Sequence, residues 1–176
     1  MSLFLILLAA GDSKRLKSST PKPYHLINNK SVLEHSLSAF KNVKKIKKTI
    51  IVYNNKHKKY LNKLSIKNAL KIAGGRTRQE STFKALKKIK SMGCKKVLIH
   101  DVARPNPSKK LINEIIKKLN NNEVVIPVIK TNDATKRVNK NVILKNIKRE
   151  NLVFSQTPQG FIFSKLFQKH KKNINY

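Results

Sequence analysis

Thiols, aromatic rings and acids are all scarce in this chain, and each shortage rules something out. Cys94 is the single cysteine, so no internal disulfide can form, and no Cys/His spacing outlines a zinc site. A reduced, cytoplasmic setting is therefore expected. No apolar run approaches the ~20 residues of a membrane span. Leu3 to Ala10 imitates the apolar core of a signal peptide, but no Lys or Arg precedes it and Lys14 and Arg15 follow directly, so it reads as a first buried strand. Tryptophan is absent and aromatics make up 6% of the chain, without the interleaved stacking pattern of single-strand nucleic-acid binders.

Acids are outnumbered most heavily: 8 stand against 40 basic residues, a formal charge of +32. Such a field attracts any polyanion, which makes nucleic acid the first partner to weigh. Lysine, however, supplies all but six of the 40 cations, and Asn and Ile are abundant beside it. All three have A/T-rich codons, and the lysines run along the whole chain in pairs such as Lys44–Lys45, Lys87–Lys88 and Lys117–Lys118. A biased genome produces this composition, so no nucleic-acid role and no membrane partner is expected. The same bias makes the arginines informative, because a site that keeps arginine where lysine is the default needs its planar fork. They are Arg15, Arg76, Arg78, Arg104, Arg137 and Arg149.

What is present, over 176 residues, is enough for one domain with a core. Apolar runs of strand length recur at Leu3–Leu8, Thr49–Tyr53, Ala69–Ala73, Lys96–His100 and Val124–Ile129, several apolar throughout as in strands covered on both faces. Helical patterns lie between them. Ser31 to Glu34 and Thr77 to Glu80 have capping-box spacing, Ser108 opens a third helix after Pro107, and a weaker amphipathic stretch covers His57 to Leu64. This alternation predicts an α/β fold, Rossmann-like, with a mostly parallel sheet and helices on both faces. Such sheets bind ligands beyond the carboxyl ends of their strands, which directs attention to the loops after Leu8, Ala73 and His100. From Thr131 the helical stripe disappears. Two extended runs, around Arg137–Val138 and over Val142–Ile147, flank the turn-forming Asn139-Lys140-Asn141. A surface loop and a protruding β-arm both fit residues 131–152.

Ala9-Ala10-Gly11 ends the first strand on small residues, which let a flat ring or a phosphate approach the backbone. The loop behind it offers peptide N–H groups together with Arg15 and Lys22, a natural nest for a polyphosphate. Gly74-Gly75 ends another strand, with the Ser81 hydroxyl close by in sequence. Asp101 ends a third beside Arg104, where it suits Mg²⁺ or a plain ion pair with that arginine. His100, the last residue of an apolar run, reads as packed rather than catalytic.

Four ordered segments carry a resemblance: "LLAAGDSKR…PKPYHLINNKSVLEHSL" at the start, "GGRTRQEST" at 74–82, "VLIHDVARP" at 97–105 and "SQTPQGF" at 155–161. Together they resemble the 2-C-methyl-D-erythritol 4-phosphate cytidylyltransferases, most closely the cytidylyltransferase half of the bifunctional form that also carries a cyclodiphosphate synthase. The resemblance implies a nucleotide-diphospho-sugar transferase type of fold. It also implies transfer of a cytidylyl group from CTP to the polyol phosphate, with release of pyrophosphate and use of Mg²⁺ or another divalent cation. By motif it assigns Arg15, Lys22 and Arg149 as catalytic, and Ala9, Ala10, Gly11, Gly75 and Ser81 as nucleotide-binding. Asp101, Arg104 and Thr157 are assigned to the acceptor, with Asp101 also on the metal; Arg78 braces its loop. It further implies a homodimer in which the 131–152 arm brings Arg149 to the neighbour's acceptor.

The chain departs from the family at Gly11-Asp12-Ser13, where Gly-x-Gly is usual, at Pro23 in place of glutamine, and at Ala134 in place of threonine. Asp12 sets a negative charge near a triphosphate, and Ser13 is strained if its position needs a positive φ. The family's acidic segment and acceptor lysine beyond "TPQGF" do not occur before Tyr176, so the expectation is a sequence truncated at its C-terminus. A second expectation is a related enzyme acting on ribitol 5-phosphate or another polyol phosphate; a third is an inactive nucleotide-binding remnant. A polyanion binder would differ from all of these by steep salt dependence.

Overall fold

A computed structural model describes residues 2–13 and 18–172. In chain order the elements are β1 (Leu3–Ala9), the small hairpin β2 (Leu26–Ile27) and β3 (Lys30–Ser31), α1 (Val32–Lys41), β4 (Ile46–Tyr53), α2 (Lys58–Asn62), β5 (Ala69–Ala73), α3 (Arg78–Ile89), β6 (Lys96–Asp101) and α4 (Lys109–Lys118). There follow β7 (Val124–Val125), β8 (Val128–Lys130), β9 (Thr135–Asn139), β10 (Val142–Ile147), β11 (Val153–Ser155), β12 (Gln159–Ile162) and α5 (Phe163–Lys172).

Alternate residues of a strand face opposite ways, so a uniformly apolar strand is stable only when both faces are covered. β1 meets that condition. Leu3, Leu5, Leu7 and Ala9 join a core with Val32, Leu33 and Phe40 of α1, Leu61 of α2 and Ile112, Ile115 and Ile116 of α4. Phe4 and Ile6 join a second core with Ala85, Leu86 and Ile89 of α3 and Phe163 of α5. The helices begin where their hydroxyl residues stand. Ser31 accepts from the Glu34 N–H while the Glu34 carboxylate accepts from the Ser31 N–H, a full capping box. Thr77 caps α3 in the same way, but Glu80 turns its carboxylate to the Arg76 N–H and Lys84, so this box is half made. Ser108 caps α4.

The main sheet runs β5-β4-β1-β6-β12-β7, with the first four strands parallel and β12 antiparallel to both its neighbours. The chain winds outward from β1 to β4 and β5, then crosses back to place β6 on the other side of β1. The order therefore reverses between β1 and β6, and a crevice opens beyond their carboxyl ends. Gly160 on β12 lies under α4, where a Cβ would stand 2.6 Å from Leu119 Cδ1 and 2.8 Å from Ile115 Cγ2. Only glycine lets helix and strand approach so closely there.

One strand expectation is corrected. The run Val124–Ile129 splits at Ile126-Pro127: β7 stays in the main sheet beside β12, while β8 leaves it to pair with β11. Proline has no N–H to continue a ladder, so the chain changes sheet there. Beyond β8, β9 and β10 form an antiparallel hairpin in which Asn139 faces Val142 and Lys140 takes φ 47°. Residues 131–152 are thus an ordered β-structure whose strands pair with each other rather than with the main sheet.

Candidate active site

Three of the motif-bearing loops follow the carboxyl ends of parallel strands β1, β5 and β6, and the fourth leads into antiparallel β12; side-chain bonds tie the last three together, and the first packs against the second. The first loop leaves β1 after Ala9. The Ala9 side chain is buried in the core beneath α1, so only its backbone faces the crevice, while Ala10 turns toward the α3 side. Gly11 is exposed. Ser13 does take a positive φ, 54°, the strain its substitution for glycine implied. Its hydroxyl accepts a hydrogen bond from the Lys22 N–H at 3.0 Å, which brings the Pro-Lys turn beside the loop. Among the described residues the Lys22 ammonium makes no ion pair, and it is exposed. Arg15 lies outside the described residues.

Tyr24 anchors that turn from below. Its ring stacks on Tyr60, with centroids 5.6 Å apart, and meets His57 edge-on at 6.4 Å. Burial pushes the Tyr24 phenol up to about 12 and holds the His57 imidazole below its ordinary value. Both groups are neutral packing at physiological pH.

The second loop follows β5. Gly74 is the close approach: a Cβ there would stand 2.6 Å from the Ala10 Cβ and 2.9 Å from Ser81 Oγ. The Gly75 N–H donates to Ser81 Oγ at 3.0 Å, and Ser81 is buried in the first turn of α3. Gly75 and Ser81 are thus brought together with Ala10 through Gly74. Gly74 was not among the predicted site residues, although the adjacent pair of glycines was a signal for it.

The third loop follows β6. Arg78 Nε donates to Asp101 Oδ1 at 3.0 Å and its Nη2 to Gln159 Oε1 at 3.5 Å, bracing the second loop against the third. An Asp101–Arg104 ion pair does not form. The Arg104 N–H donates to the Asp101 carbonyl at 3.0 Å, and its guanidinium turns instead to Gln156 Oε1. A charged pair three residues apart is outbid by Arg78, which reaches across from a neighbouring helix start.

Behind these groups runs a buried relay. The Asp101 N–H donates to Thr157 Oγ1 at 3.3 Å, and the Thr157 hydroxyl donates to His100 Nδ1 at 3.0 Å. His100 Nε2 donates to the Arg104 carbonyl at 2.8 Å. A carbonyl can only accept, so the proton sits on Nε2 and leaves Nδ1 free to accept from Thr157. His100 is fully buried against Phe40, and desolvation lowers it to about 4, which keeps the ring in this neutral form. Thr157 is nearly buried and its hydroxyl is committed to the relay, so it acts on the site by holding the Asp101 loop.

Arg149 is not brought to these loops within the chain. It stands in a short 3-10 turn between β10 and β11, 61% exposed, with Nη1 donating to the Asn132 carbonyl at 3.4 Å and Nε beside Glu150. Asp101 offers the one carboxylate that caps the sheet's third loop, and among the described residues no three His, Cys, Asp or Glu side chains gather as a metal cage. With Oδ1 held by Arg78, the second oxygen is a hard ligand of the kind Mg²⁺ takes in ones and twos alongside substrate phosphates. A single carboxylate oxygen fits a Mg²⁺ ion that is carried by a nucleotide's phosphates.

Comparison with known proteins gives the same reading. The family model described as 2-C-methyl-D-erythritol 4-phosphate cytidylyltransferase matches residues 3–176. The chain belongs to this family. It is 48% identical over 169 residues to the bifunctional enzyme IspD/IspF of Pelagibacter ubique, covering 96% of this chain and 45% of that protein. It is 32% identical over 172 residues to the 2-C-methyl-D-erythritol 4-phosphate cytidylyltransferase of Bacillus cereus, covering 95% of this chain and 75% of the relative. Among solved structures, the bifunctional IspDF of Campylobacter jejuni superposes with a TM-score of 0.85 at 28% identity, over 100% of this chain and 45% of that one. The 4-diphosphocytidyl-2C-methyl-D-erythritol synthase of Anaerococcus prevotii gives 0.84 at 25% identity, over 99% and 77%. The chain thus spans less than half the length of its bifunctional relatives and about three quarters of the monofunctional ones.

Membership accounts for the convergence of loops. Within the family frame, the residues that sequence reasoning missed are those holding the predicted ones in place, Gly74, Gln156 and Gln159; His100 and Thr157 were named, but not the hydrogen bond between them. Both glutamines stand in the quoted "SQTPQGF", where a polar side chain flanking a predicted contact was the available signal.

Proposed function

We propose that the chain transfers the cytidylyl group of CTP to the phosphate of 2-C-methyl-D-erythritol 4-phosphate. An acceptor phosphate oxygen attacks the α-phosphorus in line, the bond from that phosphorus to the bridging oxygen breaks, and pyrophosphate leaves on the opposite side. Negative charge on the equatorial oxygens is what the protein must stabilise, so positioning and fixed cations carry the rate. Ala10, Gly74, Gly75 and Ser81 border the base and ribose. Gly11 and the loop after it meet the phosphates with Lys22 and Arg15. Asp101 and Arg104, held by Thr157 and His100, face the acceptor. A Mg²⁺ ion carried by the nucleotide and met by Asp101 would neutralise phosphate charge. The observation that supports this reading is that side-chain bonds link the second, third and fourth segments at one end of the sheet, with the first packed against the second where Gly74 meets Ala10.

The same reading makes the protein a homodimer. The arm and its approach expose Ile126, Val128, Ile129, Val138, Val142, Ile143, Leu144, Val153 and Phe154, each more than 40% accessible. Exposed apolar side chains gathered on two short β-ladders are what a second copy would cover, and that docking would carry Arg149 to the neighbour's acceptor. No helix among the described residues is long and apolar enough to cross a membrane. With a single, buried Cys94, a reducing cytoplasmic setting is the one we propose.

The test is pyrophosphate release from CTP, Mg²⁺ and 2-C-methyl-D-erythritol 4-phosphate, with ribitol 5-phosphate as the competing acceptor. Release with the first acceptor that is lost in Arg15→Ala supports the reading. Binding of CTP without turnover of any polyol phosphate would overturn it.

A further inference from the structure

Asp12 is an unexpected residue in a loop that meets a triphosphate. It stands three positions before Arg15, and Ser13 beside it touches the Lys22 backbone. A free carboxylate there would compete with phosphate for the cations that bind it. The structure gives the carboxylate another partner. Asn54 Nδ2 donates to Asp12 Oδ1 at 2.6 Å and to the Ala10 carbonyl at 3.3 Å. The first is short, as hydrogen bonds to an ionised acceptor are. The amide is oriented by its other end, because Asn54 Oδ1 accepts from the Lys56 N–H at 3.0 Å.

Asn54 is well placed for this. It directly follows β4, whose last residue, Tyr53, lies opposite Ala9 of β1, so the amide bridges the ends of two adjacent strands. Farther along the same segment, the Tyr60 hydroxyl donates to the Ser19 carbonyl at 3.2 Å. The phosphate loop is therefore held on both sides of residues 14–17 by one stretch, 54–60.

We propose that Asn54 is a positioning residue of the CTP site, tethering the Asp12 carboxylate and the Ala10 carbonyl to the end of β4 so that Asp12 stays off the cations the triphosphate needs. This rests on the reading of the β1 loop as the CTP loop. It explains how the chain carries an acid there: the acid and its tether come as a pair.

A double-mutant cycle read by CTP affinity, with calorimetry as the measurement, separates the possibilities. Asn54→Ala weakens CTP binding about tenfold in an otherwise wild-type chain, and Asn54→Asp, which keeps the shape but repels Asp12, weakens it further. In an Asp12→Ala background, Asn54→Ala costs less than about threefold, because the carboxylate it restrained is gone. Where turnover is measured, the loss appears in the KM for CTP and not in kcat. Equal losses in both backgrounds would show that Asn54 acts only on the backbone at Ala10, and would overturn the proposal, as would no loss in either. If the wild-type chain binds no CTP, it is the cytidylyltransferase reading that fails, which these outcomes keep distinct.

Discussion

The carboxyl end of the main sheet and the arm use polar and apolar residues in opposite ways. At the sheet's end, polar groups are paired off internally: Arg78 with Asp101, Ser81 with Gly75, Thr157 with His100, Asn54 with Asp12. Among the described residues the Lys22 ammonium makes no ion pair there, and on the proposed reading it is what a phosphate would take. In the arm, backbone ladders are satisfied but large apolar side chains, Phe154 and Ile143 among them, face outward. The first region is finished within one chain; the second leaves large apolar side chains uncovered by it. On the proposed reading, the nucleotide half of the chemistry is built in one copy and the acceptor half is shared.

The sharpest way to break that contrast is to remove a free cation from the finished region. Lys22→Ala lowers kcat/KM by about 10²–10³, the usual loss for one group stabilising transition-state charge, with no change in oligomeric state. Light scattering and pyrophosphate release check both halves of the statement. Next, charging the arm with Ile143→Asp and Phe154→Asp yields monomers whose turnover falls by about 10², through misplacement of the acceptor, while CTP affinity stays within about threefold. Monomers with full activity would erase the distinction between the two regions.

Smaller effects sharpen the picture of the finished region. His100 is lowered from 6.5 to about 4 by burial, so the unfolded chain binds its proton first as pH falls. The stability it contributes is full above about pH 6.5 and is lost between there and pH 4, an effect of about 3 kcal/mol. Urea unfolding of wild type against His100→Gln across that window isolates it. Thr157→Val removes the hydroxyl that fills His100 Nδ1 and receives the Asp101 N–H, which costs about 1–3 kcal/mol in the same measurement and slows turnover by loosening the Asp101 loop. Smallest is Ser31→Ala, which unmakes the capping box of α1 for about 1 kcal/mol and leaves CTP affinity unchanged.

Much of this was readable from the sequence. β5 lies where the alternation of residues put it, Ser31, Thr77 and Ser108 cap the helices they were expected to cap, and the loops after β1, β5 and β6 converge. The fourth motif was legible as a site segment but not as structure. β12 carries no strong pattern, because it is an antiparallel strand of four residues that takes its place from its neighbours, whereas α5 shows an apolar stripe of Phe163, Leu166 and Phe167 that the sequence reading passed over. The split of Val124–Ile129 was missed because an apolar run does not say which sheet each half joins. Arg104 was expected near Asp101 and is, yet its guanidinium donates to Gln156 of a segment 52 residues away.

By itself, then, the order of residues determined most of the strands and helices and which motif-bearing loops meet at one end of the sheet. Periodicity, caps and motifs are local, and each acts on the few residues around it. The partners were decided only by the tertiary structure: which arginine holds Asp101, which nitrogen of His100 keeps its proton, and what Asn54 does with Asp12. Those outcomes depend on distances between residues far apart in the chain, and such distances exist only once the sheet has brought its strand ends together.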